Sequence, residues 1–228
     1  MIPTLVCYLF SLIFLFIRLK TKKKRDFIIS VFMILIGSIL GRIEYEFSVL
    51  NYFLIAILLS FFGDMLMAEY IKITNFRTID GVMMFGLAHI MYIISFYQFN
   101  IGGYNLEFSL EGLYDFLITI LCIFTAYILY NKVGSSEKMN DAIKFANLCY
   151  TIVVTILFIL VLSFVITSTT PTLMRFTSLF GILLFIISDS LLSYNEFINN
   201  FKNAKDWIAI TYVLSQILLQ ITPLLWIA

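Results

Sequence analysis

The sequence predicts an all-α, polytopic membrane bundle of about eight helices, and three observations predict it. Charged residues make up 13% of the 228, about half the roughly 25% of a soluble domain. Hydrophobic residues make up 61%, with a mean hydropathy of +1.00, too much apolar surface for water and far too much for disorder. The apolar residues also fall in runs long enough to cross a bilayer, which takes about 20 residues per helix.

The runs lie near 2–19, 27–41, 48–70, 79–99, 110–131, 142–166, 173–194 and 207–227. The first could pass for a secretory leader, but its basic cluster follows the apolar stretch and no small-residue cleavage site is visible, so it is read as a span. The second is short for a span and is expected to borrow Gly41 to Tyr45. None of the three prolines, Pro3, Pro171 and Pro223, falls in the middle of a run. The runs lack the alternation of a membrane barrel. Eight spans use most of the chain, leaving short connections and one integral membrane domain over 1–228.

Thirteen of the fifteen Lys and Arg lie in alternate connections: Arg18 to Arg25, Lys72 and Arg77, Lys132 to Lys144, and Lys202 with Lys205. By the positive-inside rule those connections are cytoplasmic and both termini face outward. The near-neutral balance of +1 offers no field for nucleic acid. Cys7, Cys122 and Cys149 form neither a disulfide framework nor a zinc motif and are read as packing residues. One histidine cannot make a His-rich zinc site, and no metal or cofactor is expected. Glu111 and Asp115 read as a solvated edge of the fifth span, and Asn195 with Glu196 as the wet end of the seventh.

Ionisable groups within apolar runs are costly and point to function. Asp64 sits about six residues, roughly 9 Å, from the basic end of its helix, and Asp189 about five residues, roughly 8 Å, from the same end of its own. Tyr212 falls at the same level; His89 and Gln216 lie roughly 15 Å deep. If their helices are neighbours, two carboxylates, an imidazole, a phenol and a carboxamide line one pocket. Gly63-Asp64-Met65-Leu66 and Ser188-Asp189-Ser190-Leu191 share a short pattern on two helices of the same direction, the echo of two parallel four-helix halves. On these residues alone, acid–base hydrolysis, proton-coupled transport and non-enzymatic lipid binding all stay open.

Gly63-Asp64, Phe85-Gly86 with His89 and Tyr92, Gly181 with Phe185 and Ser188-Asp189, and Tyr212 with Gln216 together resemble the lysoplasmalogenase, or YhhN-like, family of multi-pass membrane proteins. The resemblance runs over helices three to eight. It implies hydrolysis of the vinyl ether bond of lysoplasmalogens to a fatty aldehyde and glycerophosphocholine or glycerophosphoethanolamine. Asp64 and Asp189 would be the catalytic pair; His89, Tyr92, Ser188, Tyr212 and Gln216 would bind or position the lysophospholipid and water. A glycosidase-like division of acid and base between two carboxylates suits an oxocarbenium-like transition state. No Gly-x-Ser-x-Gly elbow is present, which argues against a serine lipase.

Overall fold

The computed structural model describes residues 1–74, 76–100, 119–128, 130, 131, 139 and 141–227. Helices α1 (Ile2–Thr21), α2 (Lys24–Glu44), α3 (Val49–Met67), α4 (Arg77–Asn100), α5 (Thr119–Ile128), α6 (Asp141–Thr167), α7 (Thr172–Ser193), α8 (Ala204–Ile221) and a terminal turn, α9 (Leu224–Ile227), follow in order. No strand occurs among the described residues. Seven helices, all but α5 and α9, are long and apolar enough to cross a membrane. The expected fifth span is described only over 119–128, 130 and 131, and Glu111, Asp115, Lys132 and Lys138 lie outside the described residues.

α2 takes in Gly41 through Glu44, as expected of a run too short by itself, and ends at Tyr45 in extended conformation. The last helix stops earlier than the apolar run. Pro223 has no N–H to continue the ladder, so α8 closes at Ile221 and the chain resumes as α9. At the other end of the seventh span, a π-helical turn, Tyr194–Ile198, extends α7.

Neighbours in sequence pack as neighbours in space: α1 with α2, α2 with α3, α3 with α4, α6 with α7 and α7 with α8. α4 also packs on α6, and α8 reaches back to α1, α2 and α3. That closes a ring through α8, which packs on α7 and on three helices of the first half. Two-thirds of the α8 span is buried, 67%, against 17% for α6, so α8 is the pillar and α6 the flank turned to lipid. The sequence accounts for this. Tyr212, Gln216 and Gln220 recur every four residues, so they share one helical face, and all three are buried. In lipid, apolar faces gain little by meeting each other, and association rests on close packing and polar bonds between helices.

Small residues supply the close packing. A methyl group at Gly181 would stand 2.9 Å from Cγ of Leu219, which lets α7 and α8 approach more closely than any side chain would permit. Ser11 and Ser30 pair at 3.1 Å between α1 and α2. Cys7 and Cys122 are buried as expected; Cys149 is not a packing residue but is exposed on the lipid-facing flank of α6. The outward surfaces carry Leu5, Leu9, Phe16, Phe145 and Ile152, the side chains a bilayer accepts.

Ion pairs gather the basic connections at one end of the bundle. Arg18, only 7% exposed, donates to Asp206 at the start of α8 over 2.7 Å, and Lys22 meets the same carboxylate. Lys24 reaches the carbonyl of Ala68 after α3. Arg77 at the start of α4 bridges Glu69 and Glu196. The ends joining α1 to α2, α3 to α4 and α7 to α8 therefore share one face, as the alternation of charge predicts.

Candidate active site

The two aspartates are each met by a tyrosine from another helix. Asp64, one turn before the end of α3 and 5% exposed, accepts the hydroxyl of Tyr212 of α8 at 2.8 Å. Asp189, one turn before the end of α7, accepts the hydroxyl of Tyr150 of α6. Among the described residues neither carboxylate has a cation within ion-pair distance. The two tyrosines are linked through rings, Tyr212 to Phe185, Phe185 to His89 and His89 to Tyr150. The echo between α3 and α7 stops at these partners, since one tyrosine comes from α8 and the other from α6.

Aromatic rings knit the two ends together. Phe85 closes over Gly63, where an added methyl would come within 3.0 Å of the ring, and turns its edge to Tyr212 at 6.0 Å. Phe185 stands 5.6 Å from Tyr212 on one side and 4.5 Å from His89 on the other. Tyr150 flanks the same imidazole at 5.4 Å. His89 is fully buried among these rings. Its Nδ1–H donates to the carbonyl of Phe85 one turn earlier in α4. A carbonyl only accepts, so in the neutral ring the lone pair sits on Nε2, and Nε2 has no partner among the described residues.

A second polar chain runs beside this cluster. The Tyr92 hydroxyl donates to Oε1 of Gln216 at 3.0 Å and accepts from Nε2 of Gln220 at 2.9 Å. Gln220 also donates to the carbonyl of Phe53. Nε2 of Gln216, fully buried, is left without a partner among the described residues. A buried polar atom without a partner is expensive, and Nε2 of His89 and Nε2 of Gln216 each have room for one more hydrogen bond.

A small cleft of about 40 Å³ opens between the basic ends of α3, α4, α6 and α7. Asp189 and Tyr150 lie on its wall with apolar Met67, Ile79, Val82, Phe85 and Leu192. Asp64 is not on that wall; Phe85, packed between Gly63 and Tyr212, is. Glu196 marks the outer part of the wall, where Arg77 holds it at 3.4 Å and Glu69 at 2.9 Å. The Arg77 guanidinium keeps the Glu69 carboxyl below the usual carboxylate range.

Of the residues singled out from sequence, Asp64, His89, Tyr92, Asp189, Tyr212 and Gln216 meet in this cluster. Ser188 does not face the cleft chemistry: its hydroxyl donates to the carbonyl of Ile208 at 3.2 Å and ties α7 to α8. Sequence reasoning missed Tyr150 and Gln220. Gln220 was legible in the four-residue spacing with Tyr212 and Gln216. Tyr150 was one of thirteen tyrosines, and no spacing set it apart. Among the described residues no group of three His, Cys, Asp or Glu could hold a metal ion.

The YhhN family model matches residues 27–222, from the first turn of α2 to the end of α8. The chain belongs to the YhhN family. Every residue of the two tyrosine–aspartate pairs and of the glutamine network falls inside the matched segment, so the site belongs to the part of the chain that the YhhN family shares. No curated protein and no solved structure matches the chain.

Proposed function

We propose that this YhhN-family protein is a membrane hydrolase that cleaves the vinyl ether bond of lysoplasmalogens, releasing a long-chain aldehyde and glycerophosphocholine or glycerophosphoethanolamine. The observation that carries the reading is the pair of carboxylates, each held by a tyrosine hydroxyl, with one on the wall of an apolar cleft. The reaction needs an acid that reaches a carbon of the substrate and a group that accepts a proton from water.

Asp189 lies on the wall and is the acid. Its proton goes to the distal alkene carbon, the π electrons form the new C–H bond, and positive charge is left shared between the proximal carbon and the ether oxygen. The hydrogen bond from Tyr150 stabilises the carboxylate as it forms. Water held by Nε2 of His89 and the free amide of Gln216 attacks the proximal carbon. Its proton passes to the Tyr212 oxygen as the Tyr212 proton moves to Asp64. In the hemiacetal, the hydroxyl returns its proton to Asp189, the C–O bond to glycerol breaks, and the departing oxygen takes the proton stored on Asp64. Both aspartates regain their starting states, and one water is consumed.

Positive-inside bias supports placing the basic end, and hence the mouth of the cleft, in the cytoplasm with both termini outside. A lysolipid of the inner leaflet then enters with its headgroup at the mouth and its sn-1 linkage deeper. The deciding experiment is aldehyde release by purified protein in detergent. Asp64→Asn and Asp189→Asn should each lower turnover by about 10² to 10⁴, the usual contribution of a general acid or base. Wild-type rates in both folded variants, or no aldehyde from wild type, overturn the reading; the latter would favour transport or lipid binding through the same carboxylates.

A further inference from the structure

The mouth of the cleft carries an ion pair that the proposed chemistry does not use. Arg77, the first residue of α4, donates through Nη1 to Glu69 at 2.9 Å and through Nη2 to Glu196 at 3.4 Å. Glu196 sits on the cleft wall, in the π-helical turn beyond α7; Glu69 and Arg77 do not, but Thr78, the residue after Arg77, does. We propose that this mouth is a headgroup subsite for a zwitterionic phospholipid, in which Arg77 takes the phosphate and Glu196 takes the ammonium. It rests on the lysoplasmalogen reading and deepens it, by naming what selects the headgroup.

Three observations converge on it. The first is charge. A cation and an anion in contact match a phosphate and an ammonium, so the ligand exchanges partners with the pair and leaves no charge unmatched. Glu69 holds the guanidinium in place while this happens, and a guanidinium with five donors can bind a phosphate and a carboxylate together.

The second is exposure. The Arg77 side chain is 42% exposed and that of Glu196 31%. An ion pair so wet contributes little to folding, and little is lost when it opens for a ligand.

The third is distance. Asp189 and Glu196 are separated by seven residues of one continuous helical segment, roughly 10 Å along its axis at about 1.5 Å per residue. In a lysoplasmalogen six bonds separate the proximal vinyl carbon from phosphorus. A peptide chain covers about 3.3 to 3.6 Å per three bonds, so six bonds span roughly 7 Å, and the ammonium lies a few bonds farther. A lysolipid whose vinyl ether touches Asp189 thus puts its phosphate and ammonium at the level of Arg77 and Glu196.

The test compares three alkenyl substrates with one chain, carrying glycerophosphocholine, glycerophosphoethanolamine or bare glycerophosphate, on the full-length protein in detergent. Arg77→Gln should raise KM roughly tenfold for all three, the loss of about one charge-assisted bond, with the loss falling on KM and not on kcat. Glu196→Gln should raise KM for the two zwitterions alone and abolish the preference for them over glycerophosphate. The charge-swapped Arg77→Glu/Glu196→Arg protein restores an ion pair but points it the wrong way, and KM should stay high. Wild-type KM values in the single variants, or a wild-type KM in the swapped protein, overturn the subsite and leave the pair a structural tie. Should wild type release no aldehyde at all, the hydrolase reading fails by itself. The subsite is then decided by equilibrium binding of radiolabelled lysophosphatidylcholine: roughly tenfold weaker binding to Arg77→Gln supports it, and equal binding refutes it.

Discussion

Tyr150→Phe isolates the contribution of a single oxygen to the proposed acid. The ring stays, and with it the edge contact to His89 at 5.4 Å, but the hydroxyl that donates to Asp189 is gone. A hydrogen bond to a charged group is worth about 1.5 to 3 kcal/mol. Asp189 is only half-buried and faces the cleft, so water replaces part of what is lost, and the lower figure applies. The bond also matters to rate only insofar as it strengthens when Asp189 gives up its proton and becomes a carboxylate. The expected effect is a fall in kcat of about tenfold, since about 1.4 kcal/mol is one decade. The assay is aldehyde release at saturating lysoplasmalogen, alongside a melting curve in detergent to show that the fold is kept. A folded Tyr150→Phe protein with wild-type kcat, where Asp189→Asn is inactive, would refute the claim that Tyr150 tunes the acid.

Four further outcomes follow from the same geometry. His89→Phe keeps a ring against Phe185 but removes the free Nε2, and turnover should drop by about 10² if that atom holds the attacking water; an unchanged rate makes His89 a packing residue. Gln216→Ala should slow the reaction less than either aspartate variant, by about tenfold, because a donor to the water is lost while both aspartates still move protons, whereas Tyr212→Phe breaks the relay to Asp64 and should cost as much as Asp64→Asn. Gly181→Ala places a methyl 2.9 Å from Leu219 and should destabilise the α7–α8 contact by about 1 to 3 kcal/mol, read as a lower melting temperature; an unchanged midpoint means the helices can part without cost. A single cysteine introduced at Lys23 should react with a membrane-impermeant thiol reagent only after the cells are opened, and labelling of intact cells would reverse the orientation and the leaflet from which substrate enters.

What the sequence determined by itself is the solvent and the depth. Runs of about 20 apolar residues can only be spans, and counting along them put Asp64, Asp189 and Tyr212 in one layer and His89 with Gln216 just below it, whatever the packing. The alternation of Lys and Arg likewise put the ends of α1, α3 and α7 on one face, which Arg18–Asp206 and Arg77–Glu196 then join. Rotation about each helix axis was not legible. A soluble helix announces its inner face by an apolar stripe, but a helix in lipid is apolar all round, and neither α6 nor α3 carries a stripe to read. Tertiary packing alone therefore decided that Tyr150 turns toward Asp189, that Ser188 turns away to Ile208, and that Phe85 stands on the cleft wall while Asp64 does not. It also decided which helix became the pillar. α8 is innermost because its three polar side chains, spaced four apart, find partners only where the other helices surround them, and the lipid could not have supplied those bonds.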